Sequence, residues 1–210
     1  MAASTTTKTI DNVVKQARSK YEELMESEHI SVGIRIDGVE TRGQAKDNES
    51  IYSTQDKNSK LMTCMLAVDV KRGSYVEMQE NTNDTEYSDK GIVTSIPNRT
   101  PVDFYFTVLF FNTVVQRNRK QPIYNDDGDI VSDSPLIIEN IDAYVERVGS
   151  TERRYDAGIE KNSVNKIITL KKWDIKKDDV LYVGDNCYRV TDIEELEDDF
   201  LSAYMTYYRE

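Results

Sequence analysis

The chain offers few residues that could catalyse a reaction or hold a metal. It has a single histidine, His29, and two cysteines, Cys64 and Cys187. Nucleophilic catalysis would therefore depend on His29, whose segment SEHISV carries no nucleophile motif. A zinc site would need four ligands from these residues and carboxylates, without the usual ligand spacing. We predict no catalytic residue and no metal ligand, and we expect both cysteines to be buried or half-buried thiols.

The acidic segments are equally unspecific. NDDGD, at 125–129, resembles the start of a calcium loop, but the glycine at the sixth position and the glutamate at the twelfth are absent. We therefore interpret NDDGD as a loop tip. The nine glycines are scattered singly, so no phosphate-binding motif indicates a cofactor. A hydrolase using carboxylate pairs such as Asp178-Asp179 stays the least supported alternative, and we expect the protein not to be an enzyme.

Composition restricts the partners. The 210 residues include 38 acidic and 27 basic side chains, a net charge of -11. This balance argues against nucleic-acid binding by the whole surface, although VVQRNRK at 114–120 is a modest basic cluster. No apolar run approaches the length of a membrane span, and the N-terminus lacks the pattern of a secretory signal, so we expect a protein kept inside a cell, without a membrane partner.

The N-terminal region, 1–42, is predicted to hold one helix and one hairpin. Apolar residues recur at helical spacing, at Ile10, Val13, Val14, Ala17, Tyr21, Leu24 and Met25. An isolated helix of this length is marginal in water, so we expect this helix to cover apolar surface. Alternation from Ile30 to Ile36, followed by Asp37-Gly38, predicts the hairpin.

The rest of the chain, 43–210, repeats a short signal. WDIKKD at 173–178 echoes VDVKRG at 68–73, and Val190-Thr191-Asp192-Ile193 echoes Val93-Thr94-Ser95-Ile96. Asp199-Phe200 likewise echoes Asp103-Phe104. We predict a mainly β protein, all-β apart from its N-terminal α-helix. Its antiparallel β-barrel is expected to combine two related strand modules, 60–115 and 136–210, with long loops that include 43–60, 79–90 and 116–135.

Two predicted strands, 102–115 and 198–208, are apolar on both faces. Phe106 and Val108 share one face of the first strand, while Tyr105 and Leu109 lie on the other. A barrel buries only the inner face of such a strand, and one helix could shield only part of the outside. An exposed apolar patch favours association with another molecule, so these strands favour self-assembly. The alternative is that the tyrosine-rich outer faces stay exposed to water, which the tyrosine hydroxyl groups tolerate.

The second module resembles structural proteins from the neck of tailed bacteriophages that infect Gram-positive bacteria. The resemblance lies in the turn Lys176-Lys177-Asp178, the short strand 180–183, a Gly-Asp turn and the run Tyr188-Arg189-Val190, and the first module is similar. It covers about residues 60–208. It implies a mainly antiparallel barrel and a head-closure (stopper) or head-tail connector protein of the virion, assembled in the host cytoplasm.

The resemblance also implies partners. Copies would form a homo-oligomeric ring beneath the portal, contacting a portal or adaptor protein and a tail protein, with passive contact to double-stranded DNA in the channel. No reaction or cofactor is implied. A loop among 43–60, 79–90 and 116–135 would block the channel. The alternatives are a tail-associated structural protein and a β-barrel module that stacks nucleic-acid bases or sugars on exposed aromatic rings.

Overall fold

The chain is mainly β. A computed structural model describes residues 3–27, 30–47, 58–66, 68–81, 84–120, 125, 127, 129, 136–149, 162–194 and 199–209. Within these residues lie one α-helix near the N-terminus and two closed six-stranded antiparallel barrels. The predicted fold class is therefore confirmed, but each related module belongs to its own barrel. The chain divides into two compact units, Met1–Phe110 and Phe111–Glu210.

The first unit contains the helix α1 (Ala3–Glu26) and seven strands. The strands are β1 (Val32–Ile36), β2 (Val39–Asp47), β3 (Ser59–Met65), β4 (Tyr75–Met78), β5 (Asp89–Val93), β6 (Asn98–Arg99) and β7 (Asp103–Phe110). The barrel order is β3-β2-β1-β4-β5-β7, closed by pairing of β7 with β3. The predicted turn joins β1 to β2, with both Asp37 and Gly38 at positive φ, the conformation that a two-residue hairpin requires.

The second unit contains a short 3-10 helix, Lys171–Trp173, and six strands. These are β8 (Thr113–Lys120), β9 (Leu136–Arg147), β10 (Asn165–Thr169), β11 (Val180–Val183), β12 (Asn186–Ile193) and β13 (Leu201–Tyr207). They close in the order β10-β13-β12-β11-β8-β9. The core of this barrel is formed by inward-facing side chains that include Val115, Ile141, Ile167, Leu181, Val190 and Met205.

The two barrels have the same strand order. In each, the first three strands form one meander and three later strands form another, with the short β6 intervening between β5 and β7 of the first barrel, and the meanders pair edge to edge. Register fixes the correspondence: Val76 pairs with Ile36 and Gly91, and Leu181 pairs with Arg117 and Tyr188. Ile36 in the first barrel therefore corresponds to Arg117 in the second, and Gly91 corresponds to Tyr188.

The repeated sequence is the connection between the two meanders of each barrel. We call residues 68–74 the first strap and residues 171–179 the second strap. Val68 and Val70 belong to the first core cluster; Ile175 belongs to the second, with Trp173 packed against it. Each strap thus turns two apolar side chains into its own barrel, which explains why VDVKRG and WDIKKD share their apolar spacing.

The polar positions of the straps also match. The ammonium of Lys71 lies 3.1 Å from the Asp69 carboxylate, and that of Lys176 lies 3.2 Å from the Asp174 carboxylate. At the strap ends, the Gly73 N–H donates to the Val93 carbonyl at 2.8 Å, and the Asp178 N–H donates to the Val190 carbonyl at 2.9 Å. Gly73 and Asp178 both have positive φ.

Several predicted boundaries differ from the structure. β2 runs through position 42, so the hairpin belongs to the first barrel and the units divide between Phe110 and Phe111. Within the predicted loop 43–60, residues 43–47 and 59–60 are strand, and 48–57 lie outside the described residues. The predicted strand 102–115 is interrupted at Phe111-Asn112, where β7 ends and β8 has yet to begin.

The echo of Asp103-Phe104 in Asp199-Phe200 is displaced by one position. Val93 pairs with Val108, and Val190 pairs with Met205, so the number of residues from each valine to its partner is the same. Counting back along β7 and β13 then sets Phe104 against Leu201. The sequence correspondence is correct for the straps and for the pair Val93 and Val190. It is wrong by one residue on β7 and β13.

Candidate interaction surfaces

The residues considered for catalysis do not form a site in the described part of the chain. His29 lies outside it. Cys64 is buried in β3, and burial, followed by the nearby Asp103, raises the pKa of its thiol to about 12. Such a thiol is protonated at neutral pH and is a poor nucleophile. Cys187 is a half-buried thiol at the start of β12. Both cysteines therefore occupy the environments expected from the sequence.

In the NDDGD segment, the described residues Asn125, Asp127 and Asp129 are joined through one side chain. The Asn125 side-chain oxygen accepts hydrogen bonds from the backbone N–H of Asp127 at 3.1 Å and of Asp129 at 2.7 Å. These bonds satisfy backbone N–H groups as an Asx-type turn does. Across the described ranges, no group of three or more His, Cys, Asp or Glu side chains is arranged to hold a metal ion.

The two arginines of the basic cluster 114–120 form ion pairs within the second barrel. Arg117 is buried in the second barrel, with Nη2 lying 2.6 Å from Glu139 and Nη1 lying 3.4 Å from Asp179. Arg119 lies 2.7 Å from the same Asp179 carboxylate. Both guanidinium groups also donate to the Asp174 carbonyl. These two arginines are engaged with the protein itself, so they are poorly placed to bind phosphate groups.

The chain itself covers most of both long strands, which contradicts the expectation of two uncovered apolar faces. On the outer face of β7, Leu109 is buried and Tyr105 is 41% exposed. On β13, Ser202 and Tyr204 face outward yet are buried, and Tyr204 packs against Val148. The strands therefore give little support to self-assembly. The sequence showed correctly that both faces need cover, but not that the chain supplies it.

An exposed apolar surface lies instead on α1. Ile10, Val13 and Leu24 are 58%, 59% and 53% exposed, and Ala17 is exposed as well. These four residues recur at helical spacing on one side of α1, and we call them the α1 stripe. The expectation that the helix covers apolar surface therefore holds only for its C-terminal part, where Met25 is buried and Tyr21 is half-buried.

Specific contacts fix the C-terminal part of α1 to the first barrel. Arg18 donates to the Pro101 carbonyl at 2.9 Å. The Met25 carbonyl accepts from Arg42 Nε at 3.0 Å and from the Ser31 hydroxyl, and Arg42 Nη2 also donates to the Ser31 carbonyl at 2.8 Å. Burial raises the pKa of the Tyr21 hydroxyl well above its usual range, with Asp103 as the second cause. The helix is thus held at one end while its stripe faces solvent.

A second surface is an arm formed by β8 and β9. The two strands pair from Thr113 with Ala143 to Lys120 with Leu136, whereas β11 pairs only with residues 115–117 of β8. In the described residues, 118–120 and 136–138 therefore pair only with each other, and we call this two-stranded extension the arm. Arg119 on the arm and Arg117 at its base both bond to Asp174 and Asp179, which joins the arm to the second strap. Ile138 on the arm is exposed.

The predicted channel loops are placed as follows. The 116–135 segment begins in β8 and continues through the arm, and of 121–135 only 125, 127 and 129 are described. In 79–90, residues 82 and 83 lie outside the described residues, and Gln79 is tied to Gly33 and Asp84 by its side-chain amide. Of the three candidates, 116–135 is the one carried on a braced two-stranded extension.

Tyr207 of the second barrel exposes its aromatic ring. The Tyr207 ring is 61% exposed and stacks on Tyr188, with centroids 5.0 Å apart. The Arg189 guanidinium lies 3.9 Å from the centre of the Tyr208 ring. An exposed tyrosine ring and an arginine–tyrosine pair are each features that base or sugar recognition can use.

In α1, charged residues recur from Lys8 to Glu26. Over the described residues, no helix combines the length and the apolar composition needed to cross a membrane.

Comparison with protein-family models, with curated proteins and with solved structures finds no match to this chain.

Proposed function

We propose that the chain is a structural subunit of the neck of a tailed phage: a ring-forming head-closure or head-tail connector protein, not an enzyme, that joins portal to tail and helps to retain packaged DNA. The proposal starts from the sequence resemblance, and the α1 stripe is the structural observation that carries it. Exposed apolar side chains aligned on a helix are a surface for another protein. An assembly subunit needs such a surface.

The second barrel adds a feature suited to a channel. The arm leads into 121–135, which holds four aspartates and neither lysine nor arginine: Asp126, Asp127, Asp129 and Asp133. An acidic segment repels DNA phosphates and does not retain them, which suits a channel through which DNA must move.

Binding to neck components tests the role. Purified chain is mixed with portal complexes or with tail complexes from a candidate phage, and mass photometry measures the complexes formed. We expect association with at least one partner, and we expect Val13→Glu/Leu24→Glu to reduce it. Ser19→Glu, which adds the same kind of charge on the opposite face of α1, is the control. Binding to tails alone would favour a tail-associated protein. Association with neither partner would contradict the proposal.

A base- or sugar-stacking module is the second candidate, favoured by Tyr207 and the Arg189–Tyr208 pair. It requires the exposed ring to contribute directly, since the basic cluster at 114–120 is engaged in ion pairs. Filter binding with single-stranded DNA at low salt, together with a glycan array, measures this activity. Retention that Tyr207→Ala abolishes would support the candidate. Absence of retention in both assays would remove it.

A further inference from the structure

We infer that the first barrel holds a binding site for a small monoanion with an apolar body, such as a medium-chain carboxylate. The site is a cavity of about 420 Å³ at the end of the barrel where β1 and β3 begin and where β2 and β4 end. This volume lies in the range of small-molecule pockets. The inference goes beyond the proposed neck role, because it depends only on the first barrel and holds whether or not the chain comes from a phage.

Apolar side chains form the inner wall of the cavity. Val32, Ala45 and Met78 line it, and all three belong to the core of the first barrel or pack against it. Counted along β2 and β9 from the hairpin, Ala45 corresponds to Val145, which packs against the core of the second barrel. The smaller alanine leaves room at this end of the first barrel. An apolar group that enters this room is removed from water, which favours binding.

A lysine lies where the second barrel has an aromatic contact. In the second barrel, the rings of Tyr188 and Tyr207 stack on each other. By strand register, Phe110 of the first barrel corresponds to Tyr207. The Phe110 ring is met instead by the Lys60 ammonium, which lies 5.5 Å from the ring centre. Lys60 is half-buried and lines the cavity, so its charge lies beside the apolar wall and is partly shielded from water. Such an ammonium attracts a carboxylate more strongly than one in open water does.

The charges of the lining favour an anion. Lys46 and Lys60 supply two ammonium groups and Glu80 supplies one carboxylate, an excess of one positive charge. Within the described ranges, neither lysine has a carboxylate partner. A ligand with a single negative charge would neutralise this excess and would give Lys60 a partner that the described residues do not provide. The apolar wall and the lysines together therefore fit a carboxylate carried on an apolar group.

Titration with sodium octanoate tests the site. Isothermal titration calorimetry measures the affinity of the full chain for octanoate, and octanol, which has the same chain length without the charge, is the matched ligand control. We expect saturable binding of octanoate. Octanol should bind about tenfold or more weakly, which is the loss expected when a charge-assisted hydrogen bond is removed. Equal affinities for octanol and octanoate would overturn the assignment of an anion site.

Variants locate the binding. Ala45→Leu fills the cavity and Lys60→Gln removes the charge, and each should weaken octanoate binding at least about tenfold. Lys71→Gln should leave the affinity unchanged, because Lys71 is an exposed lysine of the same barrel that does not line the cavity. Val13→Glu/Leu24→Glu should also bind octanoate normally, which separates the cavity from the α1 stripe. Circular dichroism checks that each variant keeps its helix and strand content.

Protection of Cys64 gives an independent measure. Cys64 is buried in the first barrel, and in a Cys187→Ser background it is the only thiol of the chain. A ligand that binds only the folded barrel opposes its opening, so octanoate at ten times its dissociation constant should slow maleimide labelling of Cys64 about tenfold. An unchanged labelling rate in the presence of bound octanoate would show that octanoate binds elsewhere.

Three further results would overturn the inference. They are the absence of saturable binding up to about 1 mM octanoate, binding that persists undiminished in Ala45→Leu and in Lys60→Gln, and binding that is lost in Val13→Glu/Leu24→Glu. The neck proposal fails separately, through the absence of portal and tail binding, so the two failures are distinguishable.

Discussion

The two barrels share a strand order but differ at one hairpin. In the first barrel, β1 and β2 are joined directly by Asp37-Gly38 after the pair formed by Ile36 and Val39. At the corresponding place in the second barrel, after Arg117 and Glu139, the strands continue into the arm. The same framework therefore ends in a tight turn in one unit and in a two-stranded extension, the arm, in the other. Function is best sought where the copies differ, because shared features serve the fold.

The core beneath that hairpin differs in the same way. Ile36 is fully buried among apolar side chains, whereas the corresponding Arg117 is buried against Glu139 and Asp179. A buried ion pair is weak evidence of added stability, because desolvation offsets most of the attraction. The ion pairs of Arg117 instead fix the position of the arm, since they join its base to the second strap.

The largest expected effect comes from Arg117. Arg117→Ala removes the guanidinium between two partly buried carboxylates, and we expect the free energy of unfolding of the second barrel to fall by about 3–5 kcal/mol. Urea denaturation followed by the fluorescence of Trp173 measures it, because the only tryptophan of the chain lies in the second strap. A loss below about 1 kcal/mol would mean that the ion pairs are dispensable.

A double variant separates the charge from the fold. Arg117→Ile/Glu139→Val places the first-barrel residues, Ile36 and Val39, in the second barrel. Because burying matched apolar groups avoids desolvation, we expect this variant to recover most of the stability lost in Arg117→Ala. It should also loosen the arm, measured as faster proteolysis within 121–135.

The second effect concerns Gly91, which corresponds to Tyr188. A Cβ on Gly91 would lie 2.7 Å from the Leu109 carbonyl oxygen and 2.8 Å from a Val108 methyl group. The carbonyl belongs to the barrel backbone and cannot move freely, so Gly91→Ala should destabilise the first barrel by about 1–3 kcal/mol. Gly149→Ala, where the added Cβ has no neighbour within 4 Å, is the matched control.

In a Cys187→Ser background, which removes the half-buried thiol of the second barrel, labelling of Cys64 measures this loss in the first barrel alone. Its buried thiol has a raised pKa and should react with a maleimide only when the barrel opens. Gly91→Ala should accelerate labelling on the order of tenfold or more while Trp173 fluorescence reports an unchanged second barrel. Equal labelling of wild type and variant would contradict the predicted clash.

The third effect compares the straps. The Ser74 hydroxyl accepts the Lys71 N–H at 3.2 Å, and the Asp179 carboxylate accepts the Lys176 N–H at 2.9 Å. Ser74→Ala should cost about 1 kcal/mol in the first barrel. Asp179→Ser keeps a strap acceptor but removes the carboxylate from two arginines, so it should cost more, about 1–2 kcal/mol. Urea titrations measure the two losses of stability, followed by Cys64 labelling in the first barrel and by Trp173 fluorescence in the second. Equal losses would show that the contacts of Asp179 with Arg117 and Arg119 do not add to stability.

The smallest effect depends on pH. Burial acts to raise the pKa of Glu194, but the Lys166 ammonium, 3.0 Å away, outweighs it and the pKa lies below its ordinary value. The unfolded chain therefore binds a proton more readily, so this stabilisation is present above about pH 4.5 and is lost as pH falls through the lowered pKa of the folded state. Glu194→Gln should reduce the acid sensitivity of the second barrel by a few tenths of a kcal/mol, measured by urea denaturation between pH 3 and 6. An unchanged pH dependence would exclude this pair as a contributor.

Much of the fold follows from local signals. Period-two alternation, the Asp37-Gly38 turn and the repeated strap sequence are all set by neighbouring residues. Closure into two barrels depends on β3 pairing with β7 and β10 with β13, contacts between segments far apart in sequence. Such pairings leave no local signature, so one barrel with two modules is as consistent with the pattern as two barrels.

The interaction surfaces were harder to predict. Arg117 looks like part of a basic patch because Glu139 is 22 residues away and Asp179 is 62 residues away. The available signal was the spacing of Val115, Arg117 and Arg119, which are two residues apart, as side chains on one face of a strand are. This spacing indicates that β8 continues past residue 115. For α1, helical periodicity shows which side of the helix is apolar, but this periodicity is the same whether that side is covered or exposed. The α1 stripe could therefore be recognised only from the exposure of its side chains in the structure.

The hairpin difference also has a practical consequence for protein engineering. The Asp37-Gly38 turn lies at the position where the second barrel has a long segment between β8 and β9. A Cβ on Gly38 would meet no atom within 4 Å. Surface turns of this kind accept inserted peptides readily. The turn is thus a natural grafting point, at which an epitope tag or a transplanted copy of 118–138 could be displayed.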